Sequence, residues 1–336
     1  MPSEDKGHYK YVFVCGLQRS GTTILGRNIA RLEGCTGFEN TPRSIDVVEG
    51  QKLQDIYPLA FEYGGPGKFG FDPRAHLTEN SDLLTPVNVS KLRESWHAYW
   101  DKRKTICVEK TPANLLMTRF LQAAFPNSYF IVIRRHPVAV SMATQRMWDV
   151  KRTSLHSLFQ HWLHCHRLFD EDKKYLRNIY ELTYEDYIKN PGKYHDEIAS
   201  FIGTSCPKAG MEEITGTHNK RYLDKWSDHL TKSTFRGYYR YIARNYEPRF
   251  IKYGYSLLEA SSSREEVLPL EGKVFALGGL YCIGADACAF LSRFMTLDPK
   301  KQIKALLPQS ILVRLKRVRH RALLRKEKAS AISPSA

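Results

Sequence analysis

The eight residues Gly16-Leu17-Gln18-Arg19-Ser20-Gly21-Thr22-Thr23 combine two glycines, three hydroxyls and one fixed cation, groups suited to holding a phosphate-sized anion. They follow the apolar run Tyr11-Val12-Phe13-Val14-Cys15 and precede a helical pattern, so they read as an anion-cradling loop between a buried strand and the positive end of a helix. The spacing is that of a nucleotide phosphate loop, but Thr22 occupies the position of the lysine that reaches the outer phosphates of a triphosphate. That substitution argues against cleavage of a terminal phosphate.

A second anion pocket is expected in Ser128 to Ser141, where the run Tyr129-Phe130-Ile131-Val132-Ile133 ends in Arg134 and Arg135 and turns into a helix carrying Ser141. Parallel α/β sheets bind ligands at the C-terminal ends of their strands, and two arginines with a hydroxyl there offer bidentate and single donors to a second phosphate. Ser141 lies seven residues after Arg134 and six after Arg135, and Thr144 is the substitute for its hydroxyl. Three further segments carry chemistry-bearing residues. Val108-Glu109-Lys110-Thr111-Pro112 follows a short strand, Thr105 to Val108, and opens a helix on proline. Leu182-Thr183-Tyr184-Glu185-Asp186-Tyr187 marks a strand-to-helix passage, and Asn219-Lys220-Arg221-Tyr222 to Trp226 is basic.

These five segments, in this order over about 220 residues, resemble the sulfotransferases that use 3′-phosphoadenosine 5′-phosphosulfate (PAPS). Arg19 to Thr23 resembles the 5′-phosphosulfate loop, Arg134 to Ser141 the 3′-phosphate motif, Lys110-Thr111-Pro112 an active-site turn, and Lys220-Arg221 a basic loop over the nucleotide. With Arg19 where the small-molecule cytosolic branch normally has lysine, the likeness is closer to the tyrosylprotein and carbohydrate branch. The resemblance implies a P-loop-like sulfotransferase fold with PAPS as cosubstrate and no metal. It implies transfer of the sulfuryl group, by in-line displacement, to a hydroxyl of a carbohydrate, protein or small-molecule acceptor. Arg19 and Lys110 then act as catalytic cations and Glu39 as general base, with Glu49 and Glu109 as alternatives. Cofactor binding falls to Arg19, Ser20, Gly21, Thr22, Thr23, Arg134, Arg135, Ser141, Tyr184, Lys220 and Arg221. Two other classes stay open: a P-loop-like nucleotide kinase or NTPase, and a non-catalytic membrane-associated nucleotide-binding protein.

The elements that must position these groups are legible as strand-like runs at 11–15, 105–108, 128–133 and 179–183, alternating with helical patterns. That alternation predicts an α/β fold, a parallel sheet covered by helices. Residues 40–88, rich in breakers such as Gly64-Gly65-Pro66-Gly67, read as an irregular insertion suited to lining an acceptor cleft. We expect a catalytic domain over 1–260, an apolar segment of open role over 261–299, and a basic, partly amphipathic tail over 300–336.

The net charge of +16 sits mostly in that tail, where residues 300–328 hold eleven Lys or Arg against one Glu. Two readings of the tail stand: an interfacial helix on anionic lipid, with Ile311, Leu315, Val318 and Ala322 on one face, or a solvated helix. Nucleic acid ranks last, because the tail lacks interleaved aromatic and basic residues. Val274 to Leu291 carries one charge, Asp286, and three glycines, which favours a buried or interface-lying segment over a membrane span. A polar N-terminus without a signal-peptide or anchor pattern, and seven cysteines without paired spacing, predict a cytoplasmic chain with reduced thiols, peripheral to a membrane at most. His156, His161, His164, Cys165 and His166 crowd one expected helix whose apolar residues point to packing, so no metal is assigned there.

Overall fold

In the computed structural model the described residues are 8–38, 49–147, 153–214 and 217–258, with single positions between 287 and 322. The chain alternates strands and helices from β1 (Lys10–Gly16), α1 (Thr22–Ala30) and β2 (Cys35–Thr36) to α2 (Pro86–His97), β3 (Ile106–Lys110) and α3 (Thr118–Ala124). It continues through β4 (Ser128–Arg134), α4 (Pro137–Met147), α5 (Leu155–Asp172), β5 (Ile179–Thr183), α6 (Tyr184–Lys189) and α7 (Pro191–Ile202). Helices α8 (Thr217–Thr231) and α9 (Arg236–Ile251) close the described part. Two compact units are formed, one from residues 1–135, 164–214 and 308–336, the other from 136–163 and 215–307.

The first unit is built on a parallel sheet of order β2-β3-β1-β4-β5. A strand buried on both faces reads as a continuous apolar run, which is why Tyr11 to Cys15 and Phe130 to Ile133 are recognisable. Alternate residues serve opposite layers. Val12, Val14, Ile131 and Ile133 pack with Leu25 and Ile29 of α1 and Ile198 and Ile202 of α7. On the other face Phe13 stacks on Phe130 at 5.5 Å and lies against Phe125 and Trp96, which stack on each other at 5.3 Å. The chain runs from β1 out to the edge at β2, returns through β3, and crosses to β4. The C-terminal ends of β3, β1 and β4 are therefore neighbours at the point where ligands bind in such sheets.

Short 3₁₀ turns at Gly50–Leu53, Ala60–Tyr63, Phe69–Phe71 and Pro73–Ala75 occupy the stretch read as irregular. The Lys-Thr-Pro segment differs in detail from its sequence reading. Strand β3 runs on through Glu109 and Lys110, and Pro112 opens a 3₁₀ turn, Pro112–Leu116.

The second unit is helical. Phe159 and Trp162 of α5, Trp226 of α8 and Tyr246 and Phe250 of α9 form its aromatic core, and the Trp226 indole donates to the Leu257 carbonyl at 2.8 Å. Here the His156 ring meets the Tyr246 hydroxyl at 2.8 Å and His161 is buried; Cys165, farther along the same helix and part of the first unit, is buried as well. Among the described residues no group of His, Cys, Asp or Glu is placed to hold a metal ion, and no helix is long and apolar enough to cross a membrane. The apolar segment 274–291 and most of the tail lie outside the described residues. Of the tail positions that are described, Ile311 and Val318 are exposed and Arg317 pairs with Glu62.

Candidate active site

The loop between β1 and α1 is fixed by close approach. A Cβ on Gly16 would lie 2.5 Å from the Ile133 carbonyl oxygen of β4. Arg19, at φ 73°, takes a left-handed conformation that costs a non-glycine residue about 1 to 3 kcal/mol. Gly21, at φ 95°, leads into α1, and a Cβ there would meet the Tyr184 ring at 2.5 Å. Tyr184 is therefore the floor of the loop. Arg135 lies across the same ring, its guanidinium carbon 4.2 Å from the centroid, and donates from Nη1 to the Arg19 carbonyl at 2.8 Å.

This loop is short of acceptors. Among the described residues no side chain caps α1, and its first turn contains no acidic residue. The Ser20 hydroxyl is fully buried with no hydrogen-bond partner among the described residues. Thr22 is buried beside Gly16 and Thr23 is exposed. A buried unpartnered hydroxyl and uncapped amides at the positive end of a helix fit an anion between them.

The end of β3 supplies the next groups. The Lys110 stem packs on Gly26 of α1, where an added Cβ would come within 2.9 Å of Lys110 Cβ. Its ammonium reaches Glu49 Oε1 at 3.2 Å, and Glu49 Oε2 accepts from Gln51 Nε2 at 2.6 Å. One residue back, Glu109 points to the opposite layer and is fully buried. It accepts from the Gly50 amide at 2.8 Å, from the Thr111 hydroxyl and from the Asn114 amide. The Trp96 indole holds the Gly50 carbonyl at 2.9 Å. Glu109 thus anchors the turn that carries Glu49.

Burial pushes the Glu109 carboxyl up to about 7, against the donors Thr111 and Gly50 and the charge of Lys110. The folded chain then holds a proton that the unfolded chain releases in the ordinary carboxylate range, so this group's contribution to stability is complete at low pH and lost as pH rises through 7. Relative to Glu109→Gln, the native chain is expected to lose stability between about pH 4.5 and 7 and to level off above, measured as urea midpoints across that range. The unpartnered Asn114 Oδ1 can accept from the new amide. A pH-independent difference would mean that Glu109 is ionised throughout.

At the end of β4 the two arginines part. Arg134 turns to Glu181 at 3.3 Å and Asp170 at 3.9 Å, whereas Arg135 reaches the loop. In the second unit Ser141 is buried with its hydroxyl unpartnered among the described residues, while Thr144 donates to the Val140 carbonyl of its own helix at 2.7 Å. Lys220 and Arg221 are exposed on α8, so the expected basic loop is a helix there. Its buried stripe Tyr222, Trp226 and Leu230 has the i, i+4, i+8 spacing that drives helix formation. Glu39 lies outside the described residues.

The structure thus gathers Ser20, Gly21, Thr22, Arg135, Tyr184 and the Arg19 backbone around one loop, with Lys110 and Glu49 at the neighbouring strand end. Gly26 escaped notice in the sequence. A glycine inside a helix costs about 1 kcal/mol against alanine, and that cost is the signal of a close approach.

A parallel sheet with this phosphate-loop-like turn at its central strand defines a class, and residues 12–208 match the sulfotransferase family. The chain belongs to that family and is a sulfotransferase. No curated protein matches it. Among solved structures it is similar to the sulfotransferase STF1 from Mycobacterium tuberculosis H37Rv, at 15% identity over 73% of this chain and 78% of that one, with a TM-score of 0.47. A sulfotransferase from Alicyclobacillus acidocaldarius is similar at 15% identity over 72% and 96% of the two chains, with a TM-score of 0.39. Retinol dehydratase, solved with androsterone and the inactive cofactor PAP, is similar at 16% identity over 76% and 82%, with a TM-score of 0.33.

Proposed function

We propose that this chain moves a sulfuryl group from PAPS to a hydroxyl of an acceptor, in the manner of the tyrosylprotein and carbohydrate branch, which Arg19 favours. The observation that carries the reading is the buried, unpartnered Ser20 hydroxyl in an uncapped, acid-free helix N-terminus that lacks the NTPase lysine. PAPS supplies an activated sulfate whose leaving group is a 5′-phosphate. The amides of residues 21–23, with the hydroxyls of Ser20, Thr22 and Thr23, hold that 5′ end, the Ser20 amide being taken by the Leu17 carbonyl at 3.0 Å, and Arg135 with Arg134 and Ser141 holds the 3′-phosphate. Tyr184 supports the loop from beneath, and Lys220 and Arg221 add positive charge toward the nucleotide.

Arg19 and Lys110 stabilise the charge that develops on the leaving oxygen, and no metal takes part in this scheme. Glu39 removes the acceptor proton. Glu49 is engaged by Lys110 and Gln51, so we give it the task of orienting Lys110, and Glu109 that of fixing the turn beneath it. Contact of residues 300–328 with anionic lipid is a separate proposal, resting on charge and on the exposed Ile311 and Val318.

Nucleotide selection tests the donor assignment. By calorimetry, adenosine 3′,5′-bisphosphate should bind more tightly than adenosine 5′-phosphate by about 2 to 4 kcal/mol, the worth of one or two charge-assisted contacts. Equal affinities would remove the 3′-phosphate role from Arg134, Arg135 and Ser141.

A further inference from the structure

The helical unit contains a cavity of about 310 Å³ between α4, the start of α5, α8 and α9. Three cations line it: Arg146 from α4, and Arg221 and Lys225 from α8. Among the described residues no carboxylate does. Among the described residues none of the three cations forms an ion pair, and the acid nearest in sequence to His229, Asp228, is engaged by Lys232 at 2.7 Å. On α8 the positions Arg221, Lys225 and His229 are spaced i, i+4, i+8, which sets them along one face at steps of about 6 Å.

Part of the lining is aromatic. His229 and Tyr239 lie parallel, with centroids 4.3 Å apart and planes at 11°, and Leu155 adds an apolar surface. Burial, and then the charge of Lys225, lower the His229 pKa, which keeps this ring neutral and suited to stacking at neutral pH. Uncompensated cations beside a flat ring pair make a complementary surface for a molecule with both an anionic group and a ring. The volume is at the lower end of the range for small-molecule sites, about 300 to 1,000 Å³.

We propose that this cavity is a second anion-binding site, one that takes a small ring-bearing organic anion such as a phosphate ester, sulfate ester or carboxylate. Arg146 and Lys225 hold the anionic group, and the His229–Tyr239 pair carries the ring. Of the lining residues only Arg221 is also assigned to the nucleotide, so occupancy by an anion and by the donor can be separated.

The test is a calorimetric titration of the full chain, already saturated with adenosine 3′,5′-bisphosphate, with phenyl phosphate, inorganic phosphate and benzyl alcohol. Phenyl phosphate should bind more tightly than inorganic phosphate, and benzyl alcohol should not bind detectably. Arg146→Ala and Lys225→Ala, both changes of exposed side chains, should each weaken phenyl phosphate about tenfold or more while leaving the bisphosphate titration unchanged. The proposal is overturned if benzyl alcohol binds as well as phenyl phosphate, if neither variant weakens binding, or if the bisphosphate blocks phenyl phosphate competitively. Should the bisphosphate itself not bind, the donor reading fails, and the phenyl phosphate titration of the nucleotide-free chain and its two variants still decides the cavity.

Discussion

Arg135→Ala is expected to weaken adenosine 3′,5′-bisphosphate by about 100-fold or more, and Arg134→Ala by less than about tenfold. The asymmetry follows from where the two side chains go. Arg135 is buried, lies over the Tyr184 ring and donates to the Arg19 carbonyl, so in the proposed scheme its removal deletes a phosphate donor and also releases the loop assigned to the other end of the nucleotide. Charge-assisted bonds contribute about 1.5 to 3 kcal/mol each, and the two losses act on the same ligand. Arg134 is held by Glu181 and Asp170 on a partly exposed edge, which leaves it less charge to offer. Lysine at 135 should recover only part of the loss, because an ammonium cannot stack on the ring while bonding to the carbonyl. Equal losses at the two positions would mean that Arg134 leaves its acids to reach the phosphate.

Glu39→Gln should lower turnover about 100-fold or more with the affinity for adenosine 3′,5′-bisphosphate nearly intact, since glutamine keeps the shape and removes the proton acceptor. Glu49→Gln should lower turnover less, by about tenfold, because Lys110 loses its charged partner but remains packed on Gly26. The two variants also discriminate by pH. Loss of a base removes the acidic limb of the rate profile, whereas a disoriented Lys110 lowers the whole profile. If Glu49→Gln has the larger effect and removes that limb, the base is Glu49.

Sequence reading succeeded where burial writes itself into composition. Strands β1 and β4 are apolar on both faces, so both strands and the turns that follow them are visible in the sequence. Strand β2 has two residues and leaves no pattern. Choosing between Arg134 and Arg135 needs the direction of each side chain at the sheet edge, and adjacent residues point to opposite faces. The likeness to the family implies a loop at Lys220, whereas the spacing of Tyr222, Trp226 and Leu230 is that of a helical stripe. The Lys110–Glu49 pair joins residues 61 positions apart through a turn that Glu109 anchors, and nothing local announces it.

The measurement that bears most directly on the central claim is a calorimetric competition between adenosine 3′,5′-bisphosphate and ATP with magnesium on the full chain. With Thr22 at the lysine position and the Ser20 hydroxyl buried without a partner among the described residues, the bisphosphate should bind with at least about 100-fold higher affinity, and magnesium should leave its affinity unchanged. Tighter, magnesium-dependent binding of ATP would contradict the account and make the loop that of a nucleotide kinase or NTPase.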